Sequence, residues 1–152
     1  MKIALDTNIL AYIAGFERSS SDSAKVERAR VTVEQLVRYN ELIVVTQVLG
    51  ELYNLLTKGG IARREARDIV GLAESKYLIV AGTRSCFQDA FDLATDHKLQ
   101  FWDSLILSTA ANAGCALLLS EDMQDGFTVR GMTIANPFLE TAQPALGRLL
   151  NG

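Results

Sequence analysis

Two carboxylates in this chain lie just after short apolar runs. Asp6 follows Ile3-Ala4-Leu5, and Asp122 comes soon after a second apolar run that ends at Leu119. A short apolar run bounded by polar residues is typical of a buried strand, and ligands of open α/β sheets bind beyond the carboxyl ends of the strands. We therefore expect Asp6 and Asp122 at the same edge of one sheet.

Two further carboxylates lie on predicted helices. Glu51 stands a little over one turn into the helix after the second strand, and because helical side chains lean towards the helix N-terminus, it can reach over the strand ends. Asp103 lies in the first turn of a later helix. Carboxylates crowded at one edge would repel one another, whereas Mg²⁺ or Mn²⁺ prefers oxygen ligands, so a divalent cation is a physical reason to gather them.

Each of these acids also has a purely structural interpretation. Asp6 and Asp103 could cap a helix or favour its dipole, Asp122 could cap a turn, and Glu51 could be a solvated helix position. The structural interpretation is weakest for Glu51, because the residues around it are apolar. Four such coincidences at one sheet edge favour a shared metal site.

Length and composition are those of a single globular domain. The chain has 152 residues, of which 49% are hydrophobic and 22% charged, and this ordinary usage argues against disorder. No apolar run reaches the about 18 residues of a membrane span, and the first residues lack a signal-peptide pattern, so we expect a cytoplasmic protein without membrane contact. The net charge of −3 is only weak evidence against a nucleic-acid ligand, because carboxylates on a metal would account for it locally.

Strands alternate with helices along the chain, which predicts an α/β fold with a mostly parallel sheet of four to five strands. The predicted strands cover residues 3–5, 42–45, 78–80, 116–119 and an edge strand over 128–134 that is interrupted by a turn. The predicted helices cover residues 7–13, 22–39, 46–58, 62–76, 83–97 and 102–113. Thr46 is expected to cap its helix, and Phe87 and Phe91 are expected to face inward.

Four short motifs carry the carboxylates. They are Leu5-Asp6-Thr7-Asn8, Val48-Leu49-Gly50-Glu51-Leu52, Phe101-Trp102-Asp103-Ser104-Leu105-Ile106 and Leu119-Ser120-Glu121-Asp122-Met123-Gln124-Asp125-Gly126. This ordered set, which spans nearly the whole chain, resembles the PIN-domain ribonucleases, and most closely the VapC-like toxins of bacterial and archaeal toxin–antitoxin pairs. Any one motif is weak, whereas the ordered set is specific.

The resemblance implies a PIN-like three-layer α/β/α fold and a metal site. The nuclease domain would cover residues 1–137, and residues 138–152 would form a weakly helical C-terminal tail of the same domain. The metal ligands that the resemblance implies are Asp6, Glu51, Asp103 and Asp122, with Asp125 open as a substitute or as a ligand of a second metal. The supporting residues that it implies are Thr7, Asn8 and Ser120.

The function that the resemblance implies is Mg²⁺- or Mn²⁺-dependent endonucleolytic cleavage of RNA by a type II toxin, with 5′-phosphate and 3′-hydroxyl products. The implied partners are RNA, a second copy of the chain and a VapB-like antitoxin. A housekeeping RNA-processing nuclease and a non-catalytic PIN-like interaction module remain open as alternatives. An aspartyl phosphatase is disfavoured, because it needs a second aspartate where Asn8 stands.

Basic and aromatic residues are candidates for substrate contact. Arg63, Arg64 and Arg67 could line a phosphate-tracking groove, although a solvated charged face explains any one of them more simply. Trp102 could stack on a base, although a core position is the simpler expectation for a lone tryptophan at the start of an apolar helix.

Overall fold

A six-stranded sheet lies at the centre of the molecule. The computed structural model describes residues 1–152. Its strands are β1 (Lys2–Leu5), β2 (Glu41–Val45), β3 (Leu78–Val80), β4 (Leu117–Leu119), β5 (Thr128–Val129) and β6 (Met132–Ala135). The strand order is β3-β2-β1-β4-β6-β5, and all neighbours are parallel except β5 and β6. The predicted mostly parallel α/β fold is therefore confirmed.

Seven α-helices cover the sheet and connect its strands. They are α1 (Thr7–Ile13), α2 (Ser23–Val37), α3 (Thr46–Lys58), α4 (Arg63–Lys76), α5 (Arg84–His97), α6 (Phe101–Asn112) and α7 (Pro144–Asn151). Helix α1 packs on α2 and α3, α3 packs on α4, and α5 packs on α6. Across these helices, no stretch combines the length and the apolar character of a membrane span.

Strand β1 is covered on both faces. Ile3, Ala4 and Leu5 are successive residues of this strand and all three are buried. Because successive strand side chains point to opposite faces of a sheet, helices must pack against both faces here. The residue that follows β1 is therefore held on a rigid support.

The last predicted strand is two strands, which brings the total to six. β5 and β6 pair antiparallel in a hairpin, and β6 also pairs parallel with β4. The chain reverses because Arg130 and Gly131 both adopt the left-handed conformation, with φ of 48° and 82°. The turn therefore lies where it was predicted, and the segments on either side of it are two paired strands and not one interrupted edge strand.

Helix α3 has the predicted bounds, but its N-cap differs from the predicted one. Val45 occupies the N-cap position in an extended conformation, and Thr46 is the first helical residue. The hydroxyl of Thr46 makes no capping hydrogen bond, so the prediction that it caps the helix is wrong.

Three aromatic residues predicted to be inside are exposed. Phe87 is 37% exposed, Phe91 57% and Trp102 48%. The small side chains of Cys86 and Ala90 form the buried stripe of α5 instead, because small residues let α5 lie close to α6. The large rings, one position further along the helix, are left at its outer margin.

The C-terminal tail forms a regular helix. Pro144 is the first residue of α7, and the side-chain oxygen of Gln143 accepts hydrogen bonds from the backbone N–H groups of Ala145 and Leu146. Leu146 is 1% exposed and belongs to the main hydrophobic core. The tail thus packs on the same core as the sheet.

Leu146→Ala is expected to lower the free energy of unfolding by about 2 to 5 kcal/mol, because it leaves a cavity in that core. Chemical denaturation measures this difference. Leu139→Ala, at a position that is 41% exposed, is the matched control and is expected to change stability by less than about 0.5 kcal/mol. Equal small effects of both substitutions would mean that α7 does not contribute to the stability of the domain.

Candidate active site

Asp6 lies where the strand order of the sheet changes direction. β1 pairs with β2 on one side and with β4 on the other, so its carboxyl end is at a topological switch point, where open α/β sheets form ligand crevices. The backbone N–H of Asp6 donates to the carbonyl oxygen of Leu119 at 3.0 Å, which ties the ends of β1 and β4 together. Asp6 is therefore fixed at the centre of this edge.

The Asp6 carboxylate is buried and hydrogen-bonded on both oxygens. Its exposed fraction is 6%. Oδ1 accepts from the backbone N–H of Thr7 at 2.8 Å, and Oδ2 accepts from the hydroxyl of Ser120 at 2.7 Å. Ser120 Oγ also accepts from the backbone N–H of Met123 at 3.2 Å, so Ser120 joins Asp6 to the segment after β4. Asp6 also caps α1, and the structural and functional interpretations of this residue are therefore compatible.

Glu51 reaches over the strand ends from α3. Its Oε2 accepts from the hydroxyl of Thr7 at 2.8 Å, and its Oε1 accepts from the side-chain amide of Gln47 at 3.2 Å. The contact with Thr7 crosses from α3 to α1. It places the Glu51 carboxylate beside Asp6, as the lean of helical side chains predicted.

Asn8 connects a third carboxylate to a basic residue. Its Nδ2 donates to Asp122 Oδ2 in a short hydrogen bond, and its Oδ1 accepts from Arg18 Nη2 at 3.1 Å. Asn8 is itself buried. Arg18 comes from the loop before α2, where its backbone N–H donates to Asp22 Oδ2 at 2.9 Å. Asp22 thus holds the loop that presents Arg18.

An open cleft of about 440 Å³ collects these side chains. The residues that line the cleft are Asp6, Thr7, Asn8, Arg18, Glu51, Asn54, Leu55, Lys58, Gln100, Asp103 and Asp122. All four predicted metal-binding acids are among them, and Leu55 is the one hydrophobic residue. The structure therefore brings together the carboxylates that lie far apart in the sequence.

Two carboxyl groups of the cleft have raised pKa values. Burial raises the pKa of Asp6 from 3.8 to about 6; the hydrogen bonds from Ser120 and Thr7 oppose this shift, whereas the charges of Glu51 and Asp103 add to it. Burial also raises the pKa of Asp103, and the charges of Glu51 and Asp122 raise it further. Carboxylates that repel one another in this way form an environment that a cation would stabilise.

The donor chemistry of the cleft fits a hard divalent cation. Four carboxylates and the side-chain oxygen of Asn8 are the oxygen ligands that Mg²⁺ and Mn²⁺ prefer. In this conformation, no three carboxylate, imidazole or thiolate side chains are close enough together to hold a metal ion. Glu51 and Asp122 accept hydrogen bonds from Thr7, Gln47 and Asn8, and because each carboxylate oxygen has a further lone pair, these bonds can persist while side-chain movements bring the acids together around a cation.

Several predicted site residues lie outside the cleft. Asp125 is not among its lining residues, and its Oδ1 accepts from the backbone N–H of Asn136 at 2.8 Å. Arg63, Arg64 and Arg67 are exposed on α4, and none of them lines the cleft either. The structure thus groups Asp122, and not Asp125, with the other three acids.

The basic groups of the cleft are Arg18 and Lys58, which the sequence analysis missed. A signal for Lys58 existed, because it stands seven residues, or two helical turns, after Glu51 on the same face of α3. The loop that carries Arg18 has no periodicity from which its position could be predicted.

Residues 3–125 match the family model of the PIN domain, and the chain therefore belongs to the PIN domain family. None of the curated proteins matches the chain significantly in sequence. The match to the family covers all four acids of the cleft, in agreement with the resemblance of the four motifs.

Solved structures with this fold include toxins of the VapC type. VapBC2 from Rickettsia felis, bound to a DNA fragment from its promoter, has a TM-score of 0.67 and 19% identity over 88% of this chain and 97% of that chain. A toxin–antitoxin complex from Klebsiella pneumoniae has a TM-score of 0.65 and 18% identity over 90% and 98%. VapC20 from Mycobacterium tuberculosis, a sarcin–ricin loop cleaving toxin, has a TM-score of 0.61 and 17% identity over 79% and 89%. At these identities the similarity establishes the fold.

Asp6→Asn is expected to stabilise the metal-free protein at pH 7.5 by on the order of 1 to 3 kcal/mol. Because the folded-state pKa of about 6 lies above the ordinary 3.8, the ionised carboxylate destabilises the fold fully above about pH 6 and not at all below about pH 3.8. The difference between the variant and the wild-type protein should therefore shrink as the pH falls towards 4.

Chemical denaturation in EDTA at pH 7.5 and pH 4 measures this difference. Asp68→Asn is the control, because Asp68 is an exposed aspartate on α4 and outside the cleft. A variant that is less stable than the wild-type protein at both pH values would contradict the buried-charge interpretation.

Proposed function

We propose that this chain is a Mg²⁺- or Mn²⁺-dependent endoribonuclease and the toxin of a type II toxin–antitoxin pair. The observation that carries the proposal is the cleft at the switch point, which four carboxylates line. Membership of the PIN domain family supports a nuclease, and the fold similarity to a toxin that cleaves the sarcin–ricin loop supports RNA as the substrate.

Asp6, Glu51, Asp103 and Asp122 would hold the cation. When bound, a divalent cation supplies Lewis-acid chemistry, because it activates water at neutral pH and neutralises the developing charge of a phosphodiester. Thr7 and Ser120 orient the Asp6 carboxylate, and Asn8 orients that of Asp122. No histidine lines the cleft, so the proposed reaction assigns no proton transfer to an imidazole.

Arg18 and Lys58 would bind the phosphates of the substrate. One guanidinium nitrogen of Arg18 is held by Asn8, and its remaining N–H groups are free to donate to phosphate oxygens. Lys58 approaches the cleft from the end of α3. A polyanion can enter a cleft of four carboxylates only if cations offset the repulsion, and these two side chains provide part of that charge.

We propose two protein partners, an antitoxin and a second copy of this chain. The proposal of an antitoxin is supported by the fold similarity to chains from VapBC2 and from the toxin–antitoxin complex of Klebsiella pneumoniae. An apolar groove of about 130 Å³ between α1, α3 and α4 is a candidate surface for the antitoxin, and Leu72 at its rim is 54% exposed. Co-purification with the product of a neighbouring reading frame tests the antitoxin, and sedimentation tests the dimer.

Cleavage of RNA in the presence of Mg²⁺ is the central test. We expect purified protein to cut RNA with Mg²⁺ and to leave 5′-phosphate and 3′-hydroxyl ends. Activity should fall by about 100-fold or more in EDTA or after Asp6→Asn, because each change removes the cation or one of its proposed ligands. End-labelled single-stranded and structured RNAs, resolved on denaturing gels, report both rate and product ends.

Asp122→Asn and Asp125→Asn form a matched pair in the same assay. Asp122→Asn should abolish cleavage, whereas Asp125→Asn should retain most of it, because Asp125 does not line the cleft. Equal cleavage with Mg²⁺, with EDTA and by the Asp6→Asn variant would sink the nuclease proposal and favour a non-catalytic interaction module.

Arg18→Ala is expected to lower kcat/KM for RNA about 10-fold, because it removes a charged phosphate donor. The slope of log Kd against log salt concentration should decrease by about 0.7 for single-stranded RNA. Filter binding at several salt concentrations and initial-rate kinetics measure the two effects.

Two controls separate charge from position. Arg18→Gln keeps a donor for Asn8 without the charge, and it should show the same loss as Arg18→Ala. Arg64→Ala removes an exposed charge on α4, outside the cleft, and should have the smaller effect. If Arg18→Gln binds and cleaves RNA normally, Arg18 has a structural role only.

A further inference from the structure

Three exposed aromatic side chains surround the half-buried ring of Phe101 where α5 meets the start of α6. The rings of Phe91 and Phe101 are stacked with their centroids 4.7 Å apart, Trp102 packs edge-on against Phe101 at 5.0 Å, and Phe87 lies 6.0 Å from Phe101. We call Phe87, Phe91, Phe101 and Trp102 the aromatic patch. Large exposed apolar patches of this kind mark interaction sites more often than chance exposure.

The aromatic patch adjoins the cleft through the start of α6. On α6, Gln100 and Asp103 line the cleft, and Trp102 lies between them in the same first turn. On α5, Phe87 lines a small pocket of about 90 Å³ together with Gln47, whose amide donates to Glu51. A chain that occupies the cleft can therefore continue onto the aromatic patch.

The charges beside the aromatic patch favour an anionic partner. Arg84 lies three residues before Phe87, so it shares the helix face that carries the rings, and it is exposed and forms no ion pair. Lys98, directly after α5, is also exposed and unpaired. The acidic residues of α5 line a different pocket, which contains Asp89, Asp92 and Asp96.

We propose that the aromatic patch is a stacking platform for unpaired RNA bases next to the phosphodiester bond cut in the cleft, an inference that rests on the proposed nuclease function. Every base has a flat face that can stack on an aromatic ring, and basic side chains beside the rings bind the connecting phosphates. A duplex keeps its bases inside, so this platform selects single-stranded segments and loops. Aliphatic side chains would serve a protein partner equally well, but this patch consists of four rings with one cation on its helix face.

The intrinsic fluorescence of Trp102 gives a direct test, because Trp102 is the only tryptophan in the chain. The probes are a short unstructured RNA oligonucleotide and a matched oligonucleotide with abasic residues at its centre, both in EDTA so that no cleavage occurs. The intact RNA should quench the fluorescence and bind about 10-fold more tightly than the abasic RNA. Equal binding of the two probes without quenching would overturn the proposal.

Ring substitutions test the same platform without fluorescence. Phe91→Ala and Trp102→Ala should each weaken binding of intact RNA about 10-fold and leave binding of abasic RNA unchanged, whereas Trp102→Phe should retain most of the preference. Tyr39→Ala is the control, because Tyr39 is 87% exposed at the end of α2 and outside the aromatic patch. Thermal unfolding verifies that each variant is folded.

A second copy of the chain is the competing occupant of the aromatic patch. If Phe91→Ala converts a dimer into a monomer in sedimentation and the preference for intact over abasic RNA is unchanged, the patch is a dimer surface and the proposal fails. The rate of RNA cleavage by the wild-type protein with Mg²⁺ is measured in a separate assay. Cleavage without stacking overturns only the platform, whereas stacking without cleavage overturns the nuclease proposal and leaves the aromatic patch as a surface that binds RNA bases without a cleavage site beside it.

Discussion

The burial of one carboxylate, Asp6, is the constraint on which the rest of the site depends. A charge at the end of a buried strand is unfavourable, and here two hydrogen bonds, from Thr7 and Ser120, only partly offset its cost, so the pKa stays near 6. The fold accepts this cost at the point where the backbone N–H of Asp6 joins the ends of β1 and β4. A buried carboxylate with a raised pKa at a sheet edge is typical of a functional site, and this interpretation is compatible with the capping of α1 by the same side chain.

The first residues of α1 organise the other acids. Thr7 donates to Glu51 on α3, and Asn8 donates to Asp122 after β4. Both donors are buried and lie within two residues of Asp6, so one turn of backbone sets the positions of three carboxylates. Neutral donors fix the orientation of a carboxylate without neutralising its charge, which suits the proposed cation ligands. These hydrogen bonds explain why Asp6 is followed by a threonine and an asparagine in the motif at the end of β1.

The positions of site residues could be predicted from the sequence where these residues lie at the end of a strand or on a helix. Strand ends place Asp6 and Asp122, and helical geometry places Glu51, because topology and side-chain lean follow from the pattern of apolar residues. Arg18 could not be predicted, since its loop is positioned by the side chain of Asp22 and by Asn8. The exposed rings of α5 were predicted wrongly because two neighbouring stripes of the helix are both apolar, and periodicity alone does not show that the stripe of small residues packs closer. The position of Arg18 and the exposure of the rings both depend on tertiary contacts, which the sequence pattern alone does not show.

Asp122 is exposed, yet its position is fixed by the residues that precede it. Both residues before Asp122 are held by side-chain contacts, Ser120 in the interior and Glu121 at a half-buried position. Ser120 bonds to Asp6, and Glu121 accepts from the hydroxyl of Tyr12 at 2.8 Å and forms an ion pair with Lys25. Burial and the neighbouring carboxylate raise the pKa of Tyr12 to about 12, so its hydroxyl keeps the proton that it donates. The backbone of Asp122 is therefore held from both sides of the sheet edge and its carboxylate is held by Asn8, so a cation ligand proposed at this position would be preorganised.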